Sequence, residues 1–203
     1  MKRSLSLLLV MLFVFALAMP AAYANYDLQS DSGSSGIGAT VTFKDVPDNH
    51  WAKSSIELLT GKEVISGVGE GIFEPDSKVT RAQFVKMLVA VAGIHHWGYK
   101  PTEEVTFQLC KISEAAFTDV FSSDWFYPYI VVATQKGIIP NEEKPFNPDT
   151  PIRRDEMAYY AYRMLNIGAG SATPFTDISS SPYSHQIAGA YSWHIINGMT
   201  ETA

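Results

Sequence analysis

The sequence predicts a mainly α-helical chain assembled from repeated helix–loop–helix units. Three observations predict it. The segment Phe43-Lys44-Asp45-Val46 recurs as Phe117-Thr118-Asp119-Val120 and again as Phe175-Thr176-Asp177-Ile178. Phe117 follows Phe43 by 74 residues and Trp125 follows Trp51 by the same 74, so the first two copies keep their internal register. Between these markers, apolar residues recur at helical spacing. Self-similarity of this kind describes a small unit that buries its apolar face by packing against its neighbours. The third copy reaches Ala203 before a second helix, so it is expected to be incomplete.

Residues 1–24 read as a secretory signal peptide. Lys2-Arg3 is the positive start, Leu7 to Ala18 the apolar run, and Ala22-Tyr23-Ala24 the small-residue cleavage site before Asn25. The apolar run is short for a bilayer span, which needs about 20 residues. Removing Lys2 and Arg3 takes the net charge from −6 to −8. An acidic chain is a poor partner for nucleic acid, whose phosphates call for a basic surface. Cys110 is the one cysteine, so no intrachain disulfide supports the exported fold. Residues 25–42, rich in Ser and Gly, read as a flexible linker.

The first repeat is expected over 43–94. Ala52, Ile56 and Leu59 form an apolar helical stripe, with Asp48 or Asn49 placed to cap its start. Val64-Ile65 follows as a short apolar pair. Gly67, Gly69 and Gly71 mark a loop that needs positive φ or a close backbone approach. That loop leads to Phe73-Glu74-Pro75 and not to a helix, so it is not a phosphate loop. Thr80-x-x-Gln83 is a capping box for a second helix. Phe84, Met87, Leu88 and Val91 give this helix its stripe, and Gly93 is expected to end it.

Residues 95–116 form a connector. His95-His96-Trp97 invites a metal, but adjacent histidines diverge and no further ligand is near in the sequence. Repeat two spans 117–166. Ile130 and Ala133 replace Ile56 and Leu59, and Gly137-Ile138-Ile139 matches the turn and apolar pair. Asn141 to Pro145 replaces the glycine loop and is one residue shorter. Arg153 stands where Thr80 stood, so the hydroxyl cap is gone. Met157, Tyr160, Ala161, Met164 and Leu165 line its second helix. A short linker over 167–174 leads to the partial third repeat, 175–203, with Ile187, Ala190 and Tyr191 followed by Ile195-Ile196.

The long spaced pattern of repeat one resembles the S-layer homology family. It runs from Phe-x-Asp-Val and its tryptophan through Gly-Val-Gly-x-Gly-x-Phe-x-Pro to Val-Thr-Arg-Ala. The resemblance covers 43–203. It implies a pseudo-threefold unit, with helix–loop–helix repeats around a central helical bundle. It further implies a non-catalytic module at the bacterial cell surface, secreted to the cell wall or S-layer. The implied ligand is an acidic, pyruvylated secondary cell-wall polysaccharide attached to peptidoglycan. No cofactor is implied. By the same resemblance the ligand-binding residues are Asp45, Trp51, Gly67, Gly69 and Arg81 in repeat one, and Asp119, Trp125 and Arg154 in repeat two. An arginine fork suits a ketal-pyruvate carboxylate, aspartate accepts sugar hydroxyls, and indole offers a flat apolar face. Arg81 at a helix start would also lie near N–H groups and the positive dipole end.

Departures accompany the match. Gln83 replaces the motif glutamate, and Tyr183 stands near the third tryptophan position. Each residue also has a plain structural role open to it: core for the tryptophans, turn former for the aspartates, and a carboxylate pair for Arg81 or Arg154. A structural envelope component acting through protein contacts or self-association is the alternative function. A glycan-cleaving enzyme would need carboxylates facing each other across roughly 5–10 Å. Asp155-Glu156 diverge on a helix, Asp119 and Asp124 carry no mark of such a role, and no Ser-His-Asp or His-Glu-x-x-His pattern is present.

Overall fold

A computed structural model describes residues 42–95, 116–168, 170 and 172–197. The leader, linker residues 25–41 and the connector from His96 to Ala115, with Trp97 and Cys110, lie outside the described residues. The described residues form five helices: α1 (Lys53–Gly61), α2 (Arg81–His95), α3 (Tyr127–Gln135), α4 (Arg154–Leu165) and α5 (Ser184–Ser192). Among them β-pairing is confined to two isolated bridges, Gly69 with Ile72 and Thr80 with Pro151.

The chain divides into two compact units, Met1–Ser77 and Lys78–Ala203. In the first, Val46, Ala52, Ile56, Leu59, Val64, Ile65 and Phe73 are buried. In the second, α2 packs on α3 and α4, and α4 packs on α5. The boundary falls inside repeat one, between its loop and its second helix. The reason is that α2 is buried along most of its length, through Phe84, Val85, Leu88, Val89, Ala90, Val91 and Ala92. A helix apolar on so many sides serves as a core element, where the sequence had indicated only a stripe.

The first helix of every repeat leaves in the same way. A residue with positive φ closes it: Glu63 (58°), Gly137 (70°) and His194 (57°). The next N–H reaches back to a carbonyl five residues earlier, Val64 to Leu59 at 2.9 Å, Ile138 to Ala133 at 2.8 Å, Ile195 to Ala190 at 2.9 Å. This is a left-handed C-terminal cap. It is followed each time by a buried apolar pair, Val64-Ile65, Ile138-Ile139 and Ile195-Ile196. The third copy is thus a structural repeat through its first helix and exit.

The capping box at α2 forms as read. The Thr80 N–H donates to Gln83 Oε1 at 2.9 Å, and the Gln83 N–H donates to Thr80 Oγ1 at 3.2 Å. At α4, Arg153 occupies the N-cap without a side-chain bond, and Asp155 and Glu156 supply negative charge in the first turn. Two expectations fail. Neither Asp48 nor Asn49 caps α1. The Ala52 N–H instead meets His50 Nδ1 at 3.3 Å, and Asp48 pairs with Lys53. The chain turns through 50–52 before the helix begins, which leaves those two side chains too early. Gly93 does not end α2, which continues to His95; Gly93 is buried within it.

The exits carry a test with two opposite signs. Gly137→Ala places a Cβ at φ 70° and is expected to cost about 1 kcal/mol, a Tm drop of roughly 3 °C. Gly61→Ala, at the end of α1 with open space around it, is expected to stabilise by a few tenths of a kcal/mol or more. Thermal melts of the two variants check both signs.

Candidate functional site

In each of the first two repeats an aspartate carboxylate clamps the turn that precedes the second helix. Asp45 accepts the N–H groups of Phe73 at 2.9 Å and Glu74 at 2.6 Å. Asp119 accepts those of Phe146 at 2.6 Å and Asn147 at 2.8 Å. Above each clamp two phenylalanine rings meet at 5.1 Å, Phe43 with Phe73 and Phe117 with Phe146. Glu74 and Asn147 both take positive φ there, at 59° and 56°. Burial raises the Asp45 pKa, but the N–H bonds from Phe73 and Glu74 outweigh it and hold the carboxyl below its ordinary 3.8.

The glycines of repeat one do two different jobs. A Cβ on Gly67 would lie 2.3 Å from the Ile72 carbonyl oxygen and 2.6 Å from the Phe43 ring, so only glycine lets that loop close. Gly69 sits at φ 119° and opens a tight turn through Glu70 and Gly71, both with positive φ. Ile72 N–H to Gly69 oxygen and Val68 N–H to Ile72 oxygen, each 2.9 Å, close it. The outer edge of the loop is exposed.

Trp51 and Trp125 lie just before α1 and α3 and are 54% and 53% exposed. A core role does not fit either. Asp45, Trp51, Gly67 and Gly69 fall in the first unit; Arg81, Asp119, Trp125 and Arg154 fall in the second. Within the second unit, Asp119 borders an open groove of about 570 Å³ lined also by Asn147, Pro148, Asp149, Thr150 and Pro151.

The terminal nitrogens of Arg81 are engaged inside the protein. Its guanidinium pairs with Glu156 and donates to the Tyr160 hydroxyl at 3.2 Å, and it lies 4.7 Å over the Phe146 ring. The arginine side chain is 19% exposed and the glutamate 7%. Tyr160 in turn donates to Glu156 at 2.9 Å. Burial, then the Glu156 charge, push the Tyr160 phenol far above its ordinary pKa, so it remains a donor. The N–H groups at the start of α2 are also taken, Arg81 by the Thr150 oxygen and Ala82 by the Pro148 oxygen, both at 3.0 Å. Protein acceptors thus take both of these N–H groups at the start of α2.

Arg154 repeats part of this plan at the next junction, donating to the Asn197 carbonyl oxygen. Burial lowers its pKa and Asp177 opposes that shift. The other carboxylates weighed for catalysis are engaged as well. Asp124 accepts the Phe121 N–H at 2.7 Å, and Asp155 pairs with Arg153 and accepts the Ser181 hydroxyl at 2.8 Å. Residues that the sequence did not single out are Glu156, Tyr160 and Phe146 as partners of Arg81. The signal was weak, because Glu156 matches Gln83 of repeat one and carries no outward sign of its partner.

Two tests follow from this geometry. Arg81→Ala leaves Glu156 buried and unpaired and is expected to cost about 3 kcal/mol, with Arg81→Ala/Glu156→Gln recovering part of it. Strictly additive losses in urea melts would refute the pairing. For Asp45 the folded pKa lies below the unfolded one, so its contribution is present above pH 4 or so and is lost as pH falls through the folded value. Asp45→Asn is expected to lower stability at neutral pH and to flatten the acid limb of a stability–pH curve.

A family profile described as the S-layer homology domain matches residues 42–85 and 116–158. The chain is 34% identical over 168 residues to Exoglucanase XynX of Acetivibrio thermocellus, covering 78% of this chain and 14% of that protein. It is 31% identical over 160 residues to a Cellulosome-anchoring protein of the same organism, covering 74% of this chain and 32% of that one. It is 28% identical over 143 residues to S-layer protein sap of Bacillus anthracis, covering 68% of this chain and 16% of that one. The chain thus spans a third or less of the length of each of these relatives. The matched segments hold both aspartate clamps, both exposed tryptophans and both arginines, so the chain carries two S-layer homology domain repeats.

Proposed function

We propose that this chain is a non-catalytic anchoring module of the bacterial cell surface that binds an acidic, pyruvylated polysaccharide attached to peptidoglycan. The observation that carries the reading is the matched exposure of Trp51 and Trp125. Two indoles, at the same place in two repeats, each present more than half of their surface. A flat apolar face of this kind suits a sugar ring. The repeats themselves form the proposed domain plan: a leader to residue 24, full repeats at 43–94 and 117–166, and a partial repeat at 175–203, arranged with pseudo-threefold symmetry around a helical bundle.

The relatives support a surface role through their names, an S-layer protein and a Cellulosome-anchoring protein among them. An exoglucanase shares the same stretch over 14% of its length, which fits an anchoring segment carried by enzymes and non-enzymes alike. The alternative, an envelope component working through protein contacts, draws on exposed Phe121 and Trp193.

Co-sedimentation with purified sacculi tests the reading. The chain is expected to pellet with intact sacculi and to remain in solution with sacculi stripped of polysaccharide by mild acid. Trp51→Ala and Trp125→Ala are each expected to weaken binding roughly 2- to 10-fold without a change in Tm. Equal pelleting with stripped walls sinks the glycan reading and favours the protein-contact alternative.

A further inference from the structure

Asn197 is the one asparagine of the chain that a glycine follows. It is exposed, and it stands directly after the buried pair Ile195-Ile196. Its backbone carbonyl oxygen accepts a hydrogen bond from the guanidinium of Arg154, 43 residues earlier on α4. Among the described residues the ion pairs join Lys53, Arg81, Lys144 and Arg153 to carboxylates, and Arg154 is not among them. The fold thus holds a half-buried cation on the neutral carbonyl of an Asn-Gly bond.

An asparagine can lose its side-chain amide to attack by the backbone nitrogen of the next residue. That nitrogen must first give up its proton. The negative charge so formed is shared with the carbonyl oxygen of the same peptide unit, which here is the Asn197 oxygen. A guanidinium on that oxygen stabilises the charge as it develops, as an oxyanion donor does. Glycine brings no Cβ to crowd the attacking nitrogen. The other asparagines of the described residues lack this combination. Asn147 precedes Pro148, whose nitrogen has no proton to lose, and Asn49, Asn141 and Asn166 precede His50, Glu142 and Ile167.

We propose that Asn197-Gly198 is a self-modification site, at which Arg154 promotes deamidation by holding the Asn197 carbonyl oxygen. The Gly198 nitrogen loses its proton to solvent and bonds to Asn197 Cγ. The Cγ–Nδ2 bond breaks, ammonia leaves, and a succinimide ring closes. Water then opens the ring at either carbonyl. Opening at Cγ gives aspartate. Opening at the backbone carbonyl frees that carbon as a carboxylate and routes the chain through Cγ, giving isoaspartate. Arg154 polarises the backbone carbonyl, so it favours the second opening. The isoaspartate product then sets a carboxylate against Arg154 where a neutral oxygen stood.

The test incubates the full chain in neutral buffer and follows the peptide containing residue 197 by mass spectrometry. Electron-transfer fragmentation separates isoaspartate from aspartate, and Tm is recorded for every variant. Wild type is expected to deamidate at Asn197 with a larger isoaspartate share when folded than when unfolded in urea. Arg154→Met is expected to slow the reaction roughly 3- to 10-fold and to lower that share. The effect is smaller than the loss of an enclosed oxyanion donor because this contact is open to water. Arg154→Lys is expected to keep part of the acceleration. In urea, wild type and Arg154→Met are expected to react alike. A folded Arg154→Met that reacts as fast as wild type overturns the assignment. So does an Asn197 that stays intact in the folded chain while the unfolded chain reacts. A wild-type product ratio that is the same folded and in urea also overturns it, and that comparison holds even if Arg154→Met fails to fold.

Discussion

One carboxylate accepting two successive backbone N–H groups sets the geometry of each full repeat. Asp45 and Asp119 reach across 28 and 27 residues to the Phe-x-Pro turn. The bond is charge-assisted, of the stronger kind. It ties the start of a repeat to that turn. Phe43 on Phe73 and Phe117 on Phe146 then cover the clamp. The backbone follows suit: Lys44 N–H meets the Gly71 oxygen in one copy, and Thr118 N–H the Lys144 oxygen in the other. Repeat two performs the closure with a loop one residue shorter and without the glycines, so the clamp and not the loop sequence is the common element.

The junction of α2 with repeat two places a charge where burial would ordinarily forbid one. Glu156 is buried on α4 and is neutralised by Arg81 and hydrogen-bonded by Tyr160. Removing water from two charges is costly, and a pair of this kind repays the cost only when its remaining donors and acceptors are met. Here the Arg81 Nε has no partner among the described residues, while the ring of Phe146 covers the guanidinium. The pair is better understood as a register device than as a source of stability, because it specifies which helix of the next repeat α2 meets.

Much of this was legible in the sequence because it is local or periodic. The Thr80–Gln83 box depends on three-residue spacing, and both of its bonds form. The apolar pairs after each first helix are adjacent residues, and all three pairs are buried. The glycine loop announced positive φ and a close approach, and Gly69 and Gly67 supply one each. What stayed hidden was non-local or indifferent to side-chain type. Glu63 and His194 adopt left-handed φ at places where Gly137 alone signals it. The engagement of Arg81 depends on Glu156, 75 residues later, in a repeat whose sequence departs from the pattern at that motif. The misplaced cap at Asp48 arose because a turn of unknown length stood between the candidate and its helix.

The exposed tryptophans are the residues that the packing logic does not explain. Burying an indole is among the most favourable single steps available to a small domain, given its 150–250 Å² of surface. Neighbouring positions take that gain: Ala52 beside Trp51 and Phe126 beside Trp125 are buried. Phe126 also meets the edge of Trp125 at 5.4 Å, which steadies the indole without covering it. Trp51 is held similarly by His50 at 5.7 Å. Each indole is therefore fixed in place and left open. Fixing an aromatic side chain beforehand lowers the entropy cost of laying a ligand on it. Between Tyr159 and Tyr183 the same architecture closes the gap with a second ring. One chain thus holds an open indole and a closed tyrosine stack at comparable places.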